Sequence, residues 1–484
     1  MKKIFLLLFL SITIFSCKDN DDDATRPSSD LAIHDFIWRG MNQFYYWQED
    51  VPNLDDNAFT PSQYTNFLKQ FNDPEDLFYS LLYDRNVSDR FSWIVDDYEA
   101  LLSSFRGEGE AYGFEIGDLV RVGQTNQVVL YVGYVIPNSP AADAGMKRGD
   151  IIYRFDDVTL NTSNYLVVNN YYRNNTIKLE FATVAGETVT PTGGISTLAI
   201  RPVQENPIHF SNVFEYGGKK IGYLTYNSFN NSYHNELNEV FGTFKTEGIE
   251  ELVLDLRYNG GGSVLTSAYL ASMIYGNATT TDHFARLMFN SKNSSENGAY
   301  PFYDQANIYD KTTGNATGTK VTINRLTSLT RLYVLMSDGT ASASEMIING
   351  LLPYMEVITI GEQSYGKNVG SITLFDSPSF MQSNVNPNHK YAMQPIVFKI
   401  FNKNNESNYT EGFIPQFEVL ERNYFRDIKP FGNIEEPLLK AALDDMTSGM
   451  ARFSQEMISP VEALKGIKEK PFTKEMYILP GEQF

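Results

Sequence analysis

The run DGTASASEMIINGLL, Asp338 to Leu352, decides how the larger part of this chain is read. It follows Arg331-Leu-Tyr-Val-Leu-Met336, an unbroken apolar run of the kind that forms a strand buried on both faces. Small residues then open an apolar helical stretch. A serine at a helix N-terminus sits at the positive end of the helix dipole, where negative charge is favoured. The N–H that follows it can help to hold an oxyanion. Taken alone, Thr340, Ser342 or Ser344 could equally be an N-cap and nothing more.

Two further segments change the weighing. Upstream, the strand-like Glu251-Leu-Val-Leu-Asp-Leu256 runs into DLRYNGGGS, Asp255 to Ser263. Its three glycines permit unusual dihedrals and close approach of backbone to a substrate, although a tight structural turn would use them too. Downstream, Met355-Glu-Val-Ile-Thr-Ile-Gly361 leads into GEQSYGKNVGS, Gly361 to Ser371, where Lys367 sits in a glycine-flanked turn. With Lys220–Tyr226 as another strand and a helix over 232–246, strands alternate with helices, which predicts a layered α/β domain over 207–430. The glycine loop, the serine helix and the lysine turn then fall at matching strand ends. The segment 277–330, polar and rich in Asn and Thr, is expected to be a functional cover or a poorly ordered insertion.

The order DLRYNGGG, TASASE, SYGK resembles the carboxy-terminal processing (tail-specific) serine peptidase family. In that family a serine of the second motif pairs with a lysine 25 residues later; 25 residues separate Ser342 from Lys367, which selects Ser342 over Ser344. The resemblance covers roughly 106–425 and implies a crotonase/ClpP-like catalytic core. The stretch Glu411–Val419 is also similar to a family segment, with Gln416 where an aspartate is usual. Many members carry a glutamine four residues after the lysine; Ser371 stands there, so the group that orients Lys367 is left open.

The implied chemistry is acyl transfer with Ser342 as nucleophile and Lys367 as general base. A lysine ordinarily titrates at about 10.4, so a basic one needs burial in an apolar pocket. Gly260 or Gly261, with Ala343, would supply the oxyanion N–H groups. Glu345 is either a clamp on the serine motif or a simple helix-start acid. The chain has five histidines, none within the three motifs, which disfavours a Ser-His-Asp triad without excluding it. No cofactor or metal is called for.

Before this domain, VIPNSPAADAGMKRGDIIYRFDD, 135–157, resembles a PDZ domain, predicted here over 106–203. Ser139 and Pro140 suit a helix start, and Gly145 and Gly149 suit turns. PDZ domains bind extended peptides on a sheet edge and many capture a terminal carboxylate. Tyr112–Ile116 would be that loop, with Gly113, Phe114 and Ile116 as peptide-binding residues. Residues 31–105 carry helical spacing, with Ile33, Ile37, Met41 and Tyr45 on one face, and predict a small helical N-terminal domain. A C-terminal helical tail is expected over 431–484.

The first residues read as a leader. Lys2 and Lys3 precede the apolar Ile4–Phe15, too short to span a bilayer, so 1–16 is expected to be a signal peptide. It ends at Ser16-Cys17, which resembles a lipobox, and Cys17 is the sole cysteine of 484 residues. A plain secretory signal is the alternative. The acidic 17–30 is expected to be a disordered tether, and it resembles the surface-export signals of some bacterial lipoproteins. These features predict lipid attachment at Cys17 and a place in the cell envelope, on the outer membrane. The net charge of −20, or −22 without 1–16, argues against nucleic acid as a partner. The expected partners are polypeptide substrates and, through the anchor, a membrane. A non-catalytic peptide-binding lipoprotein and another acyl hydrolase are the competing readings.

Overall fold

The structure is a computed structural model, and it describes residues 29–448, 460–467 and 473–479. The expected signal peptide, Cys17 and nearly all of the acidic tether lie outside the described residues; the tether's last two, Ser29 and Asp30, start a 3-10 turn, Ser29–Leu31.

Helix Ala32–Phe44 buries Phe36 with Gly40 and Ile37 with Met41, each pair four residues apart, which is the spacing that lines one face of a helix. Helix Pro61–Leu68 has proline in its first turn, and Gln63 Oε1 accepts the Thr60 N–H at 2.9 Å. Helices Pro74–Ser80 and Tyr98–Phe105 complete this part; Asp97 caps the second by accepting from Glu99 and Ala100 N–H. Its apolar core includes Leu374 and Met393, so these helices pack directly onto the large domain.

Residues 114–199 form an antiparallel sheet in the order Phe114–Arg121, Val128–Val135, Ile151–Phe155, Thr176–Ala185, Thr188–Ala199, with Val158–Thr159 beside the third strand. The short helix Pro140–Asp143 is capped by Ser139 Oγ, and Gly145 and Gly149 take positive φ in the turns that follow.

The large domain carries a six-stranded sheet ordered Ile208–Tyr216, Lys219–Tyr226, Glu251–Asp255, Arg331–Met336, Glu356–Gly361, Phe417–Glu418. Its first pair is antiparallel and the rest are parallel. Alternate residues feed two cores. Leu224, Leu252, Leu254 and Val334 face helices His234–Glu247, Val264–Ile274 and Ala343–Leu351, while Tyr223, Val253, Tyr333 and Leu335 face helix Pro437–Ser448. Helices on both faces explain why these strands are apolar throughout.

A second six-stranded sheet runs Gly262–Ser263, Met476–Ile478, Val369–Ile372, Ile396–Phe401, His283–Phe289, Gly298–Pro301. Two expectations are corrected here. Residues 277–330 are neither a cover nor a loose insertion: they supply two strands of this sheet and the hairpin Gln305–Tyr309 with Ala316–Thr322. The C-terminal part is not wholly helical either, because Met476–Ile478 is a strand whose main chain finds partners on both sides.

Candidate active site

Three neighbouring parallel strands, Glu251–Asp255, Arg331–Met336 and Glu356–Gly361, end at one edge of the sheet. In open parallel sheets the carboxyl ends of strands are where ligands are received. The glycine loop, the serine turn and the lysine turn each leave one of these ends.

The serine turn sorts the three hydroxyls that the sequence leaves open. Thr340 Oγ1 donates to Leu256 O at 2.8 Å, and Ser344 Oγ donates to Asn259 O at 2.9 Å, so both tie the turn to the glycine loop. Ser342 differs. It is fully buried, its φ of 64° is left-handed, and its Oγ has no hydrogen-bond partner among the described residues. A non-glycine residue held at positive φ carries strain that the surroundings must impose. The return half of a capping box, from the Glu345 N–H to Ser342 Oγ, does not reach hydrogen-bond geometry.

Glu345 resolves in favour of the clamp. Its Oε2 accepts the Ser342 N–H at 2.9 Å and the Lys367 N–H at 2.8 Å. Its Oε1 accepts Ser364 Oγ at 2.6 Å and the Gly366 N–H at 2.8 Å. One buried carboxyl therefore joins the serine helix to the lysine turn. Burial pushes this carboxyl up against the pull of its four donors.

Lys367 is fully buried, with Nζ 4.9 Å from the centre of the Phe91 ring. The pocket is not purely apolar, as the sequence reading required. Nζ donates to Lys474 O at 2.8 Å and to Glu475 Oε2 at 3.2 Å. Glu475 Oε1 in turn accepts Trp93 Nε1–H at 2.9 Å. Ser342 Oγ and Lys367 Nζ are not hydrogen-bonded to each other.

The oxyanion donors need one correction. The Gly261 N–H is spent on Asn259 Oδ1 at 2.9 Å, and Gly260 lies against Lys474, whose N is 2.7 Å from where a Cβ on Gly260 would stand. The N–H that points the other way is that of Gly262, which donates to Glu475 O at 2.5 Å. A Cβ on Gly261 would stand 2.3 Å from Glu475 O, 2.7 Å from Ser342 Cβ and 3.0 Å from Ala343 N, so these three atoms surround one point. Ala343 opens its helix, and its N–H has no intrahelical acceptor. Ser371 Oγ makes its hydrogen bonds elsewhere than Lys367: it donates to Met476 O at 3.3 Å and accepts from Gln394 Nε2 at 3.0 Å.

Gly113, Phe114 and Ile116 lie at the start of the edge strand of the middle sheet. Gly113 has φ 85° and no room for a Cβ, which would fall 2.0 Å from Ser139 Cβ. Phe114 is buried in that sheet's own core, and Ile116 packs at its margin. Two of the five histidines have other partners: His234 bonds Thr266 and Asn307, and His389 bonds Asp376 and the Tyr391 N–H. Gly262, Phe91, Trp93 and Glu475 escaped the sequence reading. Three adjacent glycines do not reveal which N–H turns inward. The other three come from outside the motifs, Glu475 from 108 residues beyond Lys367.

Comparison with known proteins gives one consistent result. The model of peptidase family S41 matches residues 220–419, and that of the peptidase S41 N-terminal domain matches 32–93, together more than half of the chain. The chain is 26% identical over 276 residues to carboxyl-terminal-processing peptidase 2, chloroplastic, of Arabidopsis thaliana, covering 56% of this chain and 48% of that one. It is 25% identical over 287 residues to a carboxyl-terminal-processing protease of Picosynechococcus, covering 58% and 60%. The match thus spans about half to three fifths of these relatives. A solved chain from Bacteroides fragilis assigned as an S41 protease has a TM-score of 0.65 at 27% identity, over 85% of this chain and 97% of that one.

Proposed function

Because the chain belongs to peptidase family S41, we propose that it is a serine endopeptidase that cuts polypeptides, reading their C-terminal tails, with Ser342 as nucleophile and Lys367 as base. The observation that carries this reading is the meeting beside Gly261 of the Ser342 side chain, the Ala343 N–H and the Glu475 carbonyl, the last held by the Gly262 N–H. Neutral Lys367 takes the Ser342 Oγ proton as Oγ attacks the scissile carbonyl carbon. The two N–H groups receive the negative charge that develops on oxygen. Lys367 then gives its proton to the leaving amine, and the acyl group stays on Ser342 as an ester. Water, deprotonated by Lys367, releases the new C-terminus and restores both side chains.

The unpaired, strained hydroxyl of Ser342 and the full burial of Lys367 support the dyad. Activity against an unfolded polypeptide should fall at least about a hundredfold in Ser342→Ala and in Lys367→Ala, and the double variant should be little worse than either. Ser344→Ala should keep measurable activity. Full activity in Lys367→Ala would remove the base assignment.

The middle sheet, 106–203, is read as a PDZ domain that delivers substrate tails, supported by its antiparallel order, the Ser139-capped helix and the Gly113 turn at the head of an edge strand. The catalytic domain's two sheets with helices between them agree with a crotonase-like core. Lipidation at Cys17 would hold the enzyme in the cell envelope. Cys17→Ser should release the protein from the membrane fraction or leave its leader uncut; a processed variant that still sediments with membranes would remove the anchor.

A further inference from the structure

The chain's own C-terminal part runs along two surfaces suited to extended peptides. On the edge of Phe114–Arg121, residues 462–464 pair in β fashion: the Arg121 N–H donates to Glu462 O at 3.0 Å and the Leu464 N–H to Leu119 O at 2.9 Å, with Val120 opposite Ala463 in an antiparallel bridge. Leu464 and Ile467 pack on the apolar core of that sheet, and Tyr165 Oη donates to Lys465 O at 2.8 Å. This is peptide recognition by strand addition.

Five residues further on, the chain enters the catalytic groove. Met476–Ile478 fills the gap between Gly262–Ser263 and Val369–Ile372, parallel to both. Met476 and Ile478 point into the main core, while Tyr477 stacks on Phe105 with ring centres 4.0 Å apart. Glu475 O lies at the Gly262 N–H, where a scissile carbonyl would lie.

The arrangement is that of an inhibitor and not of a substrate. Lys367 Nζ donates to Lys474 O and to the Glu475 carboxylate, so the tail holds it as a donor, and it makes no hydrogen bond with Ser342 Oγ. A general base must accept, and Ser342 Oγ has no hydrogen-bond partner among the described residues. The segment that places a carbonyl in the oxyanion site thus also engages the base.

We propose that residues 461–467 and 473–479 act as a built-in pseudosubstrate that slows the full chain, with Glu475 as the residue that engages Lys367. This rests on the Ser342–Lys367 reading. Activation requires the tail to leave both surfaces, whether displaced by a competing polypeptide tail or removed by cleavage.

The test measures the rate at which a fluorophosphonate labels Ser342, and the cleavage of an unfolded polypeptide. It compares the full chain, Glu475→Ala, and a chain ending at residue 460. Both altered forms should react at least tenfold faster than the full chain. Equal rates in a folded Glu475→Ala protein would overturn the proposal, and this variant serves if the shortened chain does not fold. Independently, a fluorescent peptide of residues 460–484 should bind the shortened Ser342→Ala protein and slow the shortened active one. Glu475→Gln in the peptide should weaken both effects. Rapid cutting of the peptide after Glu475 would make the segment a substrate and overturn the proposal. Binding of the peptide to a protein that no form of the assay finds active would retain the tail's seat and reject the dyad.

Discussion

Glu345 satisfies four donors with two oxygens: the Ser342 and Lys367 N–H groups on one, the Gly366 N–H and Ser364 Oγ on the other. No other side chain of its length can do this. In Glu345→Gln the amide nitrogen would face two donors with hydrogens of its own, leaving them unsatisfied in a buried site. Each such group costs about 1–3 kcal/mol. Glu345→Gln should therefore lower thermal stability nearly as much as Glu345→Ala. It should also slow Ser342 labelling at least tenfold in the chain lacking its tail, read by differential scanning fluorimetry beside the labelling rate. A Gln variant as stable and reactive as the parent would reduce Glu345 to a helix-start acid. The sequence could place this acid one turn after Ser342 but left both roles open, because the partners on the lysine turn are 19 to 22 residues away. The same limit hid Gly262: neighbouring glycines differ only in backbone direction, which composition does not encode.

Among the elements, the buried parallel strands were legible because both faces are covered and the residues run apolar without a break. Over 277–330 the strands were not legible. The hairpin there is largely exposed and polar, with Ala316–Thr322 facing water along nearly its whole length, so it shows neither apolar runs nor clean alternation. The edge strand Phe114–Arg121 is where an element's role can be tested. Its far end holds residues 462–464 of the tail, while its near end starts at the Gly113 turn read as a carboxylate site. If that turn captures a terminal carboxylate, amidating a peptide's C-terminus removes the charge it binds. In the tail-less chain a free-acid substrate should be cut at least several-fold more efficiently than its amide, through KM more than through kcat. Equal efficiency would mean that the edge reads internal segments, as it does with residues 462–464.

Across the whole molecule, a buried charge network fastens the middle sheet to the catalytic domain. Arg257, next to the glycine loop, pairs with Asp255 at 2.8 Å and with Glu421 and Glu436 at 2.7 Å each. Arg148, from the turn before Ile151–Phe155, pairs with Glu421, which also accepts the Tyr258 hydroxyl. DLRYNGGG displayed Arg257 and Tyr258 to the sequence reader but not this use of them, since Glu436 is 179 residues away. Burial pushes the Glu421 carboxyl up, but Arg148 and Arg257 outweigh it and hold the group at about 2, below its ordinary 4.5. A depressed folded value means that the ionised form is the one folding favours. Its contribution is therefore complete above the unfolded value and drains away as pH falls through the folded one. The window is roughly pH 4.5 to 2, and the full amount is on the order of 3 kcal/mol. Acid should thus loosen the seat of the middle sheet, while the protein stays insensitive between pH 5 and 8 as far as Glu421 is concerned. In Glu421→Gln the melting temperature should be lower at neutral pH, because two buried guanidinium groups lose a shared carboxylate. Its further decline between pH 4.5 and 2 should be shallower than in the parent. Parallel declines in the two proteins would show that other carboxylates, and not this junction, set acid stability.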